Sequence, residues 1–443
     1  MLKTFKQGGV HPPENKLSAD KKIEVLPLTK TVFIPVAQHI GAPSTPVVKR
    51  GDDVKVGQVI AKSSSFVSTN IHSSVSGKVK KVDHAADSSG YPKQGIFIDV
   101  AGDEWLEEID RSEELVKELS VEGPEIIKKI QDAGIVGLGG ATFPTHVKLV
   151  PPKGMKADVL LINGVECEPY LTSDHRLMLE KPEEILIGIQ LLMKAMNVGK
   201  AVIGIENNKS DAIKLLSEKT KEYQGIEIVA LKVQYPQGGE KQLINAVTGK
   251  EVPSGGLPIA VGAVVSNVGT AFAVYEAIQK NKPLFERVVT ITGKALEKPS
   301  NFLVRIGTAT SELVEAAGGL PENTGKIISG GPMMGRAIAS LEVPVTKGTS
   351  GILLMDETET KRKETIACIR CSRCASVCPM GLEPYLLMTL GEKQIFDRAE
   401  NERIMDCIEC GSCSYTCPSN RPLLDYIRYG KGKVSAMIRS RKK

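Results

Sequence analysis

The chain has 443 residues, with 57 Lys and Arg against 52 Asp and Glu and a formal net charge of +5. Apolar residues make up 41% and charged residues 25%, the balance of a folded chain of roughly three or four domains. So mild a charge excludes the strongly basic face of a nucleic-acid binder, and no apolar run reaches the ~18 residues of a membrane span.

The opening stretch, MLKTFKQGGVHPPENK, lacks the apolar core and cleavage site of a secretory signal. A reducing compartment is expected, where clustered cysteines hold metal more often than disulfides. Next come GAPSTPVVKRGDDVKVGQVIAKS and IHSSVSGKVKKV, within residues 31–100. Short valine-rich strands broken by turn residues predict a small antiparallel β module. The wording is similar to biotinyl and lipoyl carrier domains, which implies a barrel-sandwich fold. Where those domains carry a modified lysine, this chain has SSSFVSTN and no lysine, so the prosthetic role is expected to be lost.

Residues 123–148 read GPEIIKKIQDAGIVGLGGATFPTHVK. A helix from Pro124 to Ala133 is expected to stop at Gly134, and four glycines then fall within seven residues. Gly137 and Gly139 are followed by Thr142, so this is not the G-x-G-x-x-G dinucleotide fingerprint. Its backbone N–H groups suit a phosphate, with Lys148 as countercharge; a tight structural turn is the alternative.

VLLIN (159–163), KAVIGIE (200–206) and IEIVALKV (226–233) read as strands, alternating with helices over 182–196 and 209–223. That order predicts a Rossmann-like α/β layer with a mostly parallel sheet, and ligands of such sheets sit at the strand ends. The polar residues there are Asn163, Glu166 and Glu168, then Tyr235, Gly238, Gly239 and Glu240, then Asn267 and Thr270. Beyond Lys282, alternating strands, one short helix and glycine turns predict a β-grasp unit. Its GGPMMG reads as packing more readily than as a site.

Eight of the nine cysteines form two blocks of the pattern C-x2-C-x2-C-x3-C-P: Cys368, Cys371, Cys374, Cys378 with Pro379, and Cys407, Cys410, Cys413, Cys417 with Pro418. Zinc sites pair C-x-x-C units across longer loops. Three cysteines at successive intervals of three instead wrap a loop round a compact iron-sulfur cluster, and in two-cluster ferredoxins the fourth ligates the other cluster. One [4Fe-4S] cluster is therefore assigned to Cys368, Cys371, Cys374 and Cys417, the other to Cys407, Cys410, Cys413 and Cys378. The stretch between the blocks has helical spacing, so a helical ferredoxin-like module is expected.

The lone Cys167 reads as a buried small residue. The six histidines are scattered and are assigned no role. From Arg428 onward come seven Lys or Arg and no acid, either a solvated tail or a surface for anionic lipid or an acidic partner.

V-G-L-G-G-A-T-F-P-T-H-V-K, I-N-G-V-E-C-E-P, Y-P-Q-G-G-E and N-V-G-T follow one another as in the NADH-oxidising subunit of respiratory complex I, which this region resembles. The resemblance implies FMN held by Gly139, Gly140, Lys148, Asn267 and Thr270, with Phe143 and Asn163 against the ring system. It implies that Glu166, Tyr235 and Gly238 line the site and that Glu168 and Glu240 border the nicotinamide of NAD(H). The chain departs from that pattern at Leu138, Thr142, Val165 and Gly239.

Over nearly its whole length the chain resembles the RnfC family of the Rnf electron transport complex; a cobalamin reductase of microcompartments shares the modules but lacks the long front segment. This implies a multidomain α/β and α+β chain. Its expected parts are an N-terminal segment with a barrel-sandwich domain (1–112), an FMN/NADH domain (113–282), an SLBB-like β-grasp domain (283–355), a two-[4Fe-4S] domain (356–430) and a basic tail (431–443). The implied function is an electron-transfer subunit of an ion-translocating ferredoxin:NAD oxidoreductase. Its partners would be other subunits of that membrane complex, NAD(H) and, indirectly, ferredoxin, and its place the cytoplasmic face of the bacterial cell membrane. No catalytic side chain is nominated, because the cofactors carry the chemistry. An electron adaptor without flavin is the alternative.

Overall fold

A computed structural model describes residues 2–441. Its central layer is a parallel sheet in which Ile226–Leu231, Ala201–Glu206, Val159–Asn163 and Ala263–Asn267 pair in that order. These strands are apolar along most of their length because helices cover both faces. Register places Asn267 opposite Asn163, so both asparagines end neighbouring strands at one edge. The helices Pro182–Met196 and Val268–Gln279 pack across Gly188, where any Cβ would strike the Ala271 backbone. Two further helices, Ser173–Glu180 and Glu240–Thr248, carry little sequence signal; each begins just after a strand-end loop.

The front module has two antiparallel sheets around Val32, Ile34, Ile60, Ile96 and Ile98. Its 63–70 stretch, where a carrier domain would present its lysine, is anchored on the central layer. His146 Nε2 lies 3.0 Å from the Phe66 carbonyl, Thr69 donates to the Gln131 carbonyl at 3.0 Å and Asn70 to that of Asp132 at 3.1 Å. Lys347 joins three modules at this point: its ammonium donates to the carbonyls of Asn70 and Gly134 at 2.9 and 2.6 Å, and burial pulls its pKa down to about 7.

The β-grasp unit is a six-stranded mixed sheet with the helix Thr310–Ala316. Its edge strand, Ile23–Val25, comes from the N-terminal segment and runs parallel to Ser300–Arg305. Its strand Gly351–Asp356 leads straight into the helix Glu357–Thr360, which packs on Thr324–Ser329.

The cysteine-bearing module is helical, with Pro384–Glu392, Phe396–Asn401 and Leu423–Arg441 round a common core. The last helix corrects the expectation of a tail from 431: it runs unbroken through that residue. Ile427 and Val434 are buried on one face and Ile438 packs beside them. Arg428 and Lys431 pair with Glu409, and Arg441 with Asp397 and Glu400, so much of the basic charge is locally answered. Among the described residues no helix is long and apolar enough to cross a membrane.

Candidate functional site

The glycine loop projects from the central layer with Gly139, Gly140 and Ala141 exposed. Gly139 lies so close to Asn267 that a Cβ would sit 2.7 Å from its Nδ2, whereas a Cβ on Gly140 would meet nothing within 4 Å. Thr142, where the complex I pattern has glycine, has φ of 55°, the left-handed region that glycine adopts without cost. Phe143 closes the loop: its carbonyl accepts from Gly137 at 3.0 Å. Beneath the loop, Thr270 Oγ1 accepts from the Leu138 N–H at 2.9 Å.

Asn267 caps the helix Val268–Gln279, its Oδ1 accepting from Gly269 and Thr270 at 2.8 and 3.3 Å. Its Nδ2 donates to Asp174 at 2.7 Å and to the Asn163 carbonyl at 3.2 Å. Asn163 in turn donates to the Gly238 carbonyl at 2.8 Å and accepts from Val165 at 3.1 Å. Lys148 donates to Glu240 at 2.8 Å and to the Val265 carbonyl at 3.2 Å. An exposed glycine loop beside a capped helix start, with one lysine within reach, has the donor chemistry of a phosphate cradle. These residues fit a phosphate-bearing cofactor such as FMN.

The nominated glutamates part company. Glu166 caps the helix Ser173–Glu180, accepting from the N–H groups of Asp174 and His175 at 2.8 and 3.2 Å. Glu168 points the other way, into a seam between modules. Its carboxylate accepts from the Met333 and Met334 N–H groups at 3.1 and 2.7 Å, so the GGPMMG turn is an anion-binding turn and not only packing. Gly331 is required there, since a Cβ would come within 2.8 Å of the Glu168 side chain's own Cβ. Burial pushes the Glu168 carboxyl up to about 7, against the opposing pull of those N–H groups. Only Glu240, at the mouth of the loop, is exposed.

Tyr235 completes the seam. Buried at 2% exposure, its hydroxyl donates to the Cys410 carbonyl at 2.8 Å and lies 3.4 Å from Glu168. Cys167 sits in the same apolar cluster with Val10 and Ile408, and burial drives its thiol well up. The N-terminal segment straps the seam from outside. Val10 pairs with Tyr235 and the Gly9 N–H donates to the Val377 carbonyl at 2.9 Å.

The two cysteine blocks share one backbone trace. Arg370 and Ser372 have φ of 56° and 58°, and the corresponding Glu409 and Gly411 have 57° and 79°. These left-handed residues curl each loop so that three cysteines face inward. Cys378, Cys407, Cys410 and Cys413 line one apolar cavity with Leu387, Leu424 and Ile427. Burial raises the thiols of Cys407 and Cys413 to about 11 and about 12, so four thiolates in that hole require cationic metal beside them. In the other set, the thiols that act electrostatically on Cys374 are Cys417 and Cys368. Both groupings follow the crossed pattern expected from the sequence, and the donor sets fit iron-sulfur clusters. They differ in exposure: Cys378, Cys410 and Cys413 are buried, Cys368 and Cys371 exposed.

Family models match the chain in order: the RnfC barrel sandwich hybrid domain over residues 3–103, the Nuo51 FMN-binding domain over 130–276, the SLBB domain over 288–337 and the 4Fe-4S dicluster domain over 360–418. The chain is 51% identical to the RnfC-type component of the proton-translocating ferredoxin:NAD(+) oxidoreductase complex of Clostridium ljungdahlii, over 98% of this chain and 95% of that one. It is 44% identical to the corresponding component of the Na(+)-translocating complex of Acetobacterium woodii, over 98% of each. The chain belongs to the RnfC family. A crystal structure of NAD+-reducing [NiFe]-hydrogenase in the air-oxidized state shares the fold with this RnfC protein, at a TM-score of 0.51 and 18% identity over 71% of this chain and 66% of that one.

Several residues of the RnfC site carry no sequence signal because they arrive from distant segments. Lys16 donates to the carbonyls of Glu166, Glu168 and Leu171 at 2.8, 2.9 and 2.7 Å; burial and the nearby Lys209 lower its pKa to about 8. Arg287, from the β-grasp sheet, reaches the Leu138 carbonyl at 3.4 Å, placing an arginine behind the loop that lacks its own. Asp174 lies beneath the loop, its carboxyl raised to about 7 by burial and by Glu166.

Proposed function

We propose that the chain exchanges hydride with NAD(H) at FMN in its central layer and passes single electrons through two [4Fe-4S] clusters, as a subunit of an ion-translocating ferredoxin:NAD oxidoreductase. FMN, when bound, supplies the exchange between two-electron and one-electron transfer, and the clusters supply the one-electron path. The chain's own residues hold and align these groups. Gly139, Gly140 and Lys148 cradle the phosphate, with Asn267 and Thr270 shaping the floor beneath it. Phe143, Asn163 and Gly238 border the ring system, and Glu240 orients the nicotinamide. Glu166 and Glu168 act from behind: the first fixes the helix that carries Asp174, the second locks the β-grasp turn to the central layer.

The observation that carries this reading is the seam from the 164–171 loop through Tyr235 to Cys410, which sets the inner cysteine cavity against the edge where the glycine loop lies. Division of the chain into front, flavin, β-grasp and cluster domains follows the same seams. The reactants in the relatives' names, NAD and ferredoxin, support a place on the cytoplasmic face of the membrane.

FMN released from iron-reconstituted protein tests the reading. About one FMN per chain supports it; iron without flavin would leave the chain an electron adaptor.

A further inference from the structure

Residues 361–373, KRKETIACIRCSR, are exposed at every position, although they carry two of the eight cluster cysteines. Polar loops are often exposed, but this one also shows Ile366 at 51% and Ile369 at 63% exposure. It bears five basic side chains, Lys361, Arg362, Lys363, Arg370 and Arg373, against the single acid Glu364. Among the described residues, Arg362 alone of the five has an ion-pair partner, Asp425 at 2.8 Å.

The blander explanation is that the positive charge offsets the negative charge of a thiolate-held cluster. The internal repeat argues against it. Glu409 occupies in the inner loop the position that Arg370 occupies in the outer one, with the same left-handed backbone, and it is neutralised by Arg428 and Lys431. A cluster loop of this fold therefore does not need a cation at that position. An exposed apolar centre ringed by unpaired cations is the pattern of a transient docking face, in which charge steers the encounter and apolar contact holds it.

We propose that the 361–373 surface docks an acidic one-electron carrier protein over Cys368 and Cys371, making theirs the outward cluster and the Cys407 set the inward one. This rests on the iron-sulfur reading above. An anionic lipid surface would meet the same charges, but it offers no electron acceptor to justify exposing the cysteine loop. One electron crosses per encounter: one iron-sulfur centre is oxidised and the partner's is reduced, or the reverse, with no proton or group transferred.

The test uses the full chain, prepared anaerobically with iron and FMN restored, and as probe an acidic two-[4Fe-4S] ferredoxin, with binding measured by calorimetry over a salt series. Affinity should fall steeply with ionic strength. The exposed double variant Lys361→Glu/Lys363→Glu should weaken it about tenfold at low salt. Iron content and cluster spectra should stay those of the parent, a readout that a disturbed fold would move. Equal affinity for parent and variant would overturn the proposal. So would binding of the parent to phosphatidylglycerol vesicles with none to the ferredoxin. Iron and FMN contents on the same samples report on the electron-transfer reading separately: parent protein without iron refutes that reading, whereas iron-loaded protein indifferent to these charges refutes only the docking surface.

Discussion

Tyr235 donates its hydroxyl to the carbonyl of Cys410 at 2.8 Å, across 175 positions of sequence. One hydrogen bond thus ties the turn after a central strand to the loop that wraps the inner cysteine cavity. Glu168 lies 3.4 Å behind that hydroxyl and is itself held by two N–H groups of the β-grasp turn. Three modules meet within a few side chains.

Removing that bond leaves a buried carbonyl without a partner, which costs about 1–3 kcal/mol. Tyr235→Phe should lower the denaturation midpoint accordingly while FMN content stays at the parent level. A loss of FMN equal to the loss of stability would mean that Tyr235 serves the flavin directly.

Glu168 makes stability depend on pH. Its carboxyl titrates near 7 in the folded chain against 4.5 ordinarily, so between those values the folded state holds the extra proton. Its contribution is most favourable below pH 4.5 and declines as pH rises through 7, by ~3 kcal/mol at most. Glu168→Gln should remove that slope. Unfolding free energies of parent and variant that run parallel from pH 4.5 to 7 would show that this carboxyl does not titrate there.

Two adjacent glycines separate binding from packing. Gly139→Ala must push aside Asn267 and should cost about 1–3 kcal/mol of stability together with flavin. Gly140→Ala meets no neighbour within 4 Å and should lose flavin with stability within about 0.5 kcal/mol of the parent. Full FMN retention in Gly140→Ala would move the phosphate elsewhere.

Lys148 and Glu240 are both partly solvated, so their 2.8 Å pair is worth at most ~1 kcal/mol. Lys148→Ala should therefore leave the melting temperature and iron content nearly unchanged and reduce FMN content. Iron falling in step with flavin would point to a general disturbance of the fold.

What could be read in advance was local. The cysteine spacing dictated two wrapped loops, and the alternation of buried strands with the 182–196 helix dictated a parallel layer. The glycine-rich stretch announced an exposed loop. What stayed hidden depends on contacts between segments far apart in the chain. Nothing in NGVECEP tells Glu166, which caps a helix, from Glu168, which crosses to another module. Lys16 and Arg287 look like ordinary surface charges until folding brings them under the loops they support. GGPMMG resembles packing because its function lies in backbone N–H groups, which have no residue code. The basic end looked like a tail because charge outweighs the sparse apolar positions Ile427, Val434 and Ile438 that make it a packed helix.

The most direct test is an anaerobic titration of the FMN- and iron-loaded chain with NADH, following flavin absorbance and the cluster signals by electron paramagnetic resonance. Flavin should bleach and reduced-cluster signals should then appear in the same sample, with both responses lost in Lys148→Ala protein that retains its iron. Bleached flavin beside clusters that stay oxidised, at a potential where dithionite reduces them, would contradict a path through the Tyr235–Cys410 seam.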